Sequence, residues 1–319
     1  MLKKLGFIIL LISLFSCDKK SETEAKIEKV DANFELIRFD QKFAETSEEN
    51  LPQLKAEYPF LFPEQYPDSL WVQKLNDTIQ QEIEAEINKV FSEFTKENDE
   101  LHSLFQHVKY YFPDFQVPDV ITVTSEVDYK NKTIYTGEYL FVALDTYLGP
   151  EHKFYIGIQE FLKKNFRKEQ IVSDAAAEIA EKYVPKADSR TFLSHMIYYG
   201  KLLYLKDRFI PFKSDAEKIG YSDDELEWVK SNEDQIWRYF IENELIFDTD
   251  SKLYTRFLYP APFSKFYLQL DSESPARVGQ YIGWNIVRAY MEKNDVSIKT
   301  MLNTSAEEIF NKANYKPKK

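Results

Sequence analysis

A single cysteine, Cys17, serves a chain of 319 residues, so no disulfide can form within it. The fold has to be held by packing, and that demands a large apolar core. The chain carries the material for one: 16% of its residues are aromatic, with 25 Phe and 21 Tyr, and rings of this size serve mostly as core filling. A lone thiol also leaves no cysteine cluster for a structural zinc. Only eight glycines occur, and no Ser/Gly-rich or Pro-rich linker interrupts residues 34–319. Without an internal repeat, residues 34–319 are expected to form one continuous globular domain.

The place of the cysteine is as informative as its rarity. Lys3 and Lys4 precede an apolar run from Leu5 to Phe15, too short to span a bilayer but right for an export signal. Leu14-Phe15-Ser16-Cys17 then resembles a lipobox, with an aliphatic residue three places before the cysteine and a small one directly before it. The expectation is a signal peptide over residues 1–16, cleaved to leave Cys17 at the mature N-terminus, lipidated with diacylglycerol and further acyl chains such as palmitate. Each buried methylene adds about 0.8 kcal/mol, so two or more chains hold firmly. Residues 17–33 are charged and poor in apolar side chains, as a solvated tether would be. Asp18 favours inner-membrane retention in some bacteria, but sorting differs between lineages, which leaves inner and outer membrane both open.

Removing residues 1–16 takes away two lysines and no acid, leaving 39 basic residues against 53 acidic ones and a net charge of −14. Such a balance argues against nucleic acid as a partner and against charge-driven adhesion to anionic lipid.

The pattern predicts a short strand at Phe34–Phe39 and helices from about Asp68 to Tyr111. Val120–Thr124, Thr133–Glu138 and Tyr139–Leu144 are rich in β-branched and aromatic residues, with a turn at Asp128–Lys132. From Phe154 onward helix follows helix. The fold class expected is a predominantly helical α+β, a small antiparallel sheet with a helical bundle. Ser222-Asp-Asp-Glu225 and Ser305-Ala-Glu-Glu308 have the capping-box form, and Ser274-Pro275 resembles a helix start with proline at the first position. The helix it would open is apolar on more than one side and should be largely buried. Gly279 and Gly283 would let another element come close.

Catalytic signals are sparse. His102 and His107 are five apart, roughly 140° around a helix, and do not form a chelating pair. Glu151-His152 after Gly149-Pro150 reads as a loop. No HExxH, GxSxG or Walker sequence occurs. In SDAAAEIAEKYVP (173–185), Glu178 and Glu181 lie three apart on one side of a helix. The plain reading is an exposed face with Glu178 paired to Lys182.

Cys17 in its lipobox, FVALDTYLGP (141–150), HMIYYGKLLYL (195–205), NEDQIWRYFIENELIF (232–247) and PAPFSKFYLQLDSESPARVGQYIGWNIVRAYM (260–291) together resemble the gliding-motility lipoprotein family GldB of the Bacteroidetes, over essentially the whole chain. The resemblance implies a lipid-anchored protein of the cell envelope facing the periplasm, partnered by other gliding machinery proteins and associated with type IX secretion. It brings no established reaction. GldB-like chains are also similar, more distantly, to gluzincin-type zinc metallopeptidases. In that resemblance Asp145-Thr-Tyr-Leu-Gly149 keeps a turn before the metal helix and Glu178 takes the general-base position. Ala177 and Glu181 replace the histidines, and Tyr199 stands where the third ligand belongs. Catalytic zinc needs three protein ligands, and one carboxylate does not hold it. The expectation is a pseudo-metallopeptidase scaffold without metal, catalytic residues or cofactor, acting as a scaffold or regulatory binding protein. The alternative is an envelope hydrolase working through carboxylates such as Glu178 and Glu181. A solute-binding lipoprotein is weaker, since the alternating strand and helix of a two-lobed receptor is missing.

Overall fold

A four-stranded sheet divides the apolar interior in two. In the computed structural model, which describes residues 22–318, the strands are β1 (Leu36–Ile37), β2 (Asp119–Val123), β3 (Thr133–Tyr135) and β4 (Tyr139–Ala143), in the order β1-β2-β4-β3. Side chains alternate across a strand, so Val120, Leu140 and Val142 enter the main core while Ile121 and Ile37 enter a smaller one with Phe43, Tyr58 and Phe62. Both faces are covered.

That double coverage explains where the sheet departs from expectation. β2 runs parallel to both β1 and β4, and only β3 and β4 are antiparallel, so the sheet is mixed rather than antiparallel. Parallel pairing is characteristic of strands buried on both sides, a property that alternation alone does not reveal. β3 and β4 are joined by a tight turn in which Gly137 takes φ +103°, a conformation that suits glycine. The expected strand at 34–39 shrinks to two residues, because Phe39–Ala44 is already helical. There Arg38 pairs with the buried Asp40 at 2.8 Å.

Expected helices between 68 and 111 are present as Asp68–Leu75, Thr78–Val90 and Thr95–Tyr111. The predominantly helical α+β class holds. The centre of the main core is a crossing of two long helices, Phe192–Phe209 and Val278–Lys293. Gly200 and Gly283 meet there, and a Cβ on Gly283 would fall on the backbone of Met196. The close approach expected of Gly283 is thus a helix-on-helix contact.

Three local readings change. The tether expected up to residue 33 is shorter: Glu22–Ile27 is a helix whose Ile27 is buried. Gln106 Nε2 donates to the carbonyls of Glu28 and Val30 at 3.1 and 3.0 Å. Ser274-Pro275 does not open a helix. Ser274 Oγ instead donates to the Asp271 and Ser264 carbonyls, and the helix begins at Val278 after Arg277. The Ser222 capping box is complete, but at Ser305 only one half forms, the hydroxyl accepting from the Glu308 N–H without the return bond; Ser214 with Glu217 makes a further complete box. Cys17 and the signal peptide lie outside the described residues. Among those described, no helix is long and apolar enough to cross a membrane.

Candidate functional site

The helix Ile171–Glu181, the helix Phe192–Phe209 and the N-terminal end of Val278–Lys293 enclose a cavity of about 370 Å³. Ala177 and Glu181 reach it from the first helix, Tyr199 from the second, and Arg277 and Gln280 from the third. Residues 177 and 181 are one helical turn apart and share a face. The positions singled out by the distant peptidase resemblance therefore share one cavity, with one exception. Glu178 does not line it. Its carboxyl is raised above the usual range by burial and by Glu181, against a pull from the Tyr135 backbone. Lys182 lies over the Tyr135 ring at 5.8 Å, and no ion pair joins it to Glu178. Burial and neighbouring Tyr259, Tyr198 and Glu181 push the Tyr199 hydroxyl up to about 12, so it is neutral at ordinary pH.

What the sequence did not reveal is the cationic character of the wall. Lys132, Lys164, Lys206, Lys218 and Arg277 all line the cavity, against the carboxylates of Asp174 and Glu181. Lys132 is paired with Asp174, which also accepts from the Tyr147 hydroxyl at 2.8 Å. Lys164 reaches Glu225 at 2.7 Å. Lys218 contacts Asp207 at 3.2 Å and Asp215 at 3.7 Å. Arg288 clamps those same two carboxylates from the third helix and lies 3.6 Å over the Trp284 ring, fixing this side of the wall.

Lys206 has no such partner. It is 6% exposed, and its ammonium makes neither hydrogen bond nor ion pair with the described residues. Burial pulls it down to about 7; Asp174 opposes this, while Arg277, Lys132 and Lys218 reinforce it. Arg277 donates one N–H to the Gly220 carbonyl at 2.9 Å and stacks over Tyr221 at 5.4 Å. Its φ is +63°, a left-handed conformation that costs a non-glycine residue about 1 kcal/mol or more. No sequence motif announces either feature. Lys206 follows Tyr199 by seven residues, two helical turns along the same face, and that spacing was the only available signal.

Zinc does not fit here. Among the described residues no group of three or more His, Cys, Asp or Glu could hold a metal ion. Two carboxylates among five cations repel a divalent cation rather than collect one. His102 and His107 do not converge. His152 accepts from the Phe154 N–H and lies 3.5 Å from Glu86, capping a turn.

The family model described as gliding motility protein GldB matches residues 20–317. The chain belongs to this family. No curated protein and no solved structure matches it. This GldB-family protein is thus a component of gliding motility whose cavity has to be read from its own residues.

Proposed function

We propose that this GldB-family protein is a lipid-anchored, non-catalytic binding component of the gliding machinery. Cys17 carries the acyl chains, and the domain faces the periplasm beside other machinery proteins. The observation carrying the non-catalytic reading is the position of Glu178. A hydrolase built on the peptidase-like pattern needs its base within reach of a bound substrate, and Glu178 lies off the cavity wall, toward the Tyr135 backbone. What faces the cavity is charge suited to holding a ligand. A degenerate peptidase scaffold accounts for Ala177, Glu181 and Tyr199 lining one cavity, with lysines where a metal centre would need acids.

Two variants in the native organism test this. Cys17→Ser is expected to move the protein from the membrane to the soluble fraction and to abolish spreading on agar. Glu178→Gln is expected to leave spreading unaltered. A folded Glu178→Gln protein that no longer supports movement would favour the hydrolase.

A further inference from the structure

We propose that the cavity binds a carboxylate carried on an apolar or aromatic body, with Lys206 and Arg277 as its counter-charges. The proposal rests on the binding reading above and adds the chemistry of what is bound.

Three of the five cations on the wall are already answered by carboxylates: Lys132 by Asp174, Lys164 by Glu225, and Lys218 by Asp207 and Asp215. Lys206 and Arg277 are not, and the one carboxylate of the wall without an ion pair, Glu181, leaves these two cations against a single acid. An ammonium buried without a partner opposes folding, and Lys206 opens onto a cavity large enough for a small ligand. In a chain of net charge −12, this cationic excess is local to the site.

The rest of the wall selects among anions. Phe161, Leu162, Phe166, Leu202 and Leu203 line the same space, and a bare inorganic anion would leave them wet. Phosphate sites are typically built from clustered backbone N–H groups. At the cavity's glycine, Gly220, it is the carbonyl that is engaged, accepting from Arg277 and from Asn165 at 2.9 Å each. A guanidinium fork and one ammonium match the two oxygens of a carboxylate, and the apolar wall covers what the carboxylate is attached to. Such a group belongs to a free organic acid or to the C-terminus of a peptide. The unliganded ammonium titrates near neutrality, and a carboxylate beside it favours the charged form. Binding therefore takes up a proton above pH 7 and weakens as pH rises.

Isothermal titration of the full chain in detergent micelles tests this with four probes: N-acetyl-phenylalanine, its amide, the peptide Ala-Ala-Ala-Phe, and inorganic phosphate. The acid is expected to bind at least about tenfold more tightly than the amide, and about tenfold more weakly at pH 9 than at pH 6.5. Equal or tighter binding of the peptide assigns the site to a peptide end; binding of the small acid alone assigns it to a free acid. Lys206→Met and Arg277→Gly each reduce affinity at least about tenfold. Both are expected to fold, since the first removes a buried charge and the second relieves a left-handed backbone. Absence of binding by either acid, equal binding of the amide, tighter binding of phosphate, or unaltered affinity in both variants overturns the proposal. If the variants lose gliding although no carboxylate binds, only the ligand class fails. If both variants glide normally, the cavity is not the binding site that the proposed function requires.

Discussion

Lys206 brings an ammonium into the interior without an ion pair, the nearby Asp174 being bonded to Lys132, and that makes it a site where function and stability pull apart. Its affinity for a proton is lower in the folded chain, about 7 against the ordinary 10.5. Between those values the unfolded chain holds a proton that the folded chain has released, so stability rises with pH across the window. Below pH 7 the full penalty applies. Lys206→Met should therefore stabilise the protein by about 2 to 4 kcal/mol at pH 6, with the advantage fading toward pH 10. Urea unfolding of both proteins at several pH values checks this, and a pH-independent difference would show that Lys206 does not titrate in this window. Asp145 is the opposite case, a buried acid with its donors in place. It accepts from Val127 N–H at 2.6 Å and Ser125 N–H at 3.0 Å, holding a loop in which Glu126 and Val127 both have positive φ. Burial raises the carboxyl, while these N–H groups pull it back. Asp145→Asn turns an amide donor toward one or both donors and should cost about 2 kcal/mol, read from the urea midpoint; an unchanged midpoint would mean that the loop is held by other contacts.

Among the elements, the crossing of Phe192–Phe209 with Val278–Lys293 decides the geometry of the site, since it sets Tyr199 and Lys206 opposite Arg277 and Gln280. Gly283→Ala would place a methyl on the Met196 backbone, which no side-chain rotation can relieve. A loss of more than about 2 kcal/mol is expected, together with weaker probe binding as the helices separate. A stability loss with intact binding would instead show that the cavity does not depend on this contact. The element level also shows why some signals were readable and others were not. A capping box is satisfied within four residues, so Ser222 and Glu225 announce it in one dimension. Ser274-Pro275 offers a similar local signal, but Ser274 follows the short helical turn Asp271–Glu273 and donates to the Asp271 and Ser264 carbonyls, and the long helix starts later, at Val278. The left-handed Arg277 is supported by Gly220 and Tyr221, residues more than fifty positions away, and nothing adjacent in sequence signals it.

For the molecule as a whole, residues 22–33 belong to the domain. Ile27 and Ala32 are each 1% exposed, and Lys109 donates to the Asp31 carbonyl at 2.8 Å. A chain beginning at residue 34 should melt below one beginning at residue 18, with about 3 kcal/mol lost from the uncovered core; equal melting temperatures by calorimetry would restore the longer tether. By itself the sequence determined the helical α+β class, the strand positions within a few residues, the solitary Cys17 that restricts the fold to packing, and the family. These follow from composition, periodicity and contiguous stretches, and survive in one dimension. Tertiary structure alone decided that β2 lies parallel to β4, that Glu178 does not line the cavity while Ala177, Glu181 and Tyr199 do, and that Lys206 and Arg277 stand without ion pairs on its wall. Whether a charge is answered depends on which distant segments bring a carboxylate within reach. Asp174 reaches Lys132 and Glu225 reaches Lys164, whereas Lys206 lies in the field of Asp174 but forms no ion pair with it.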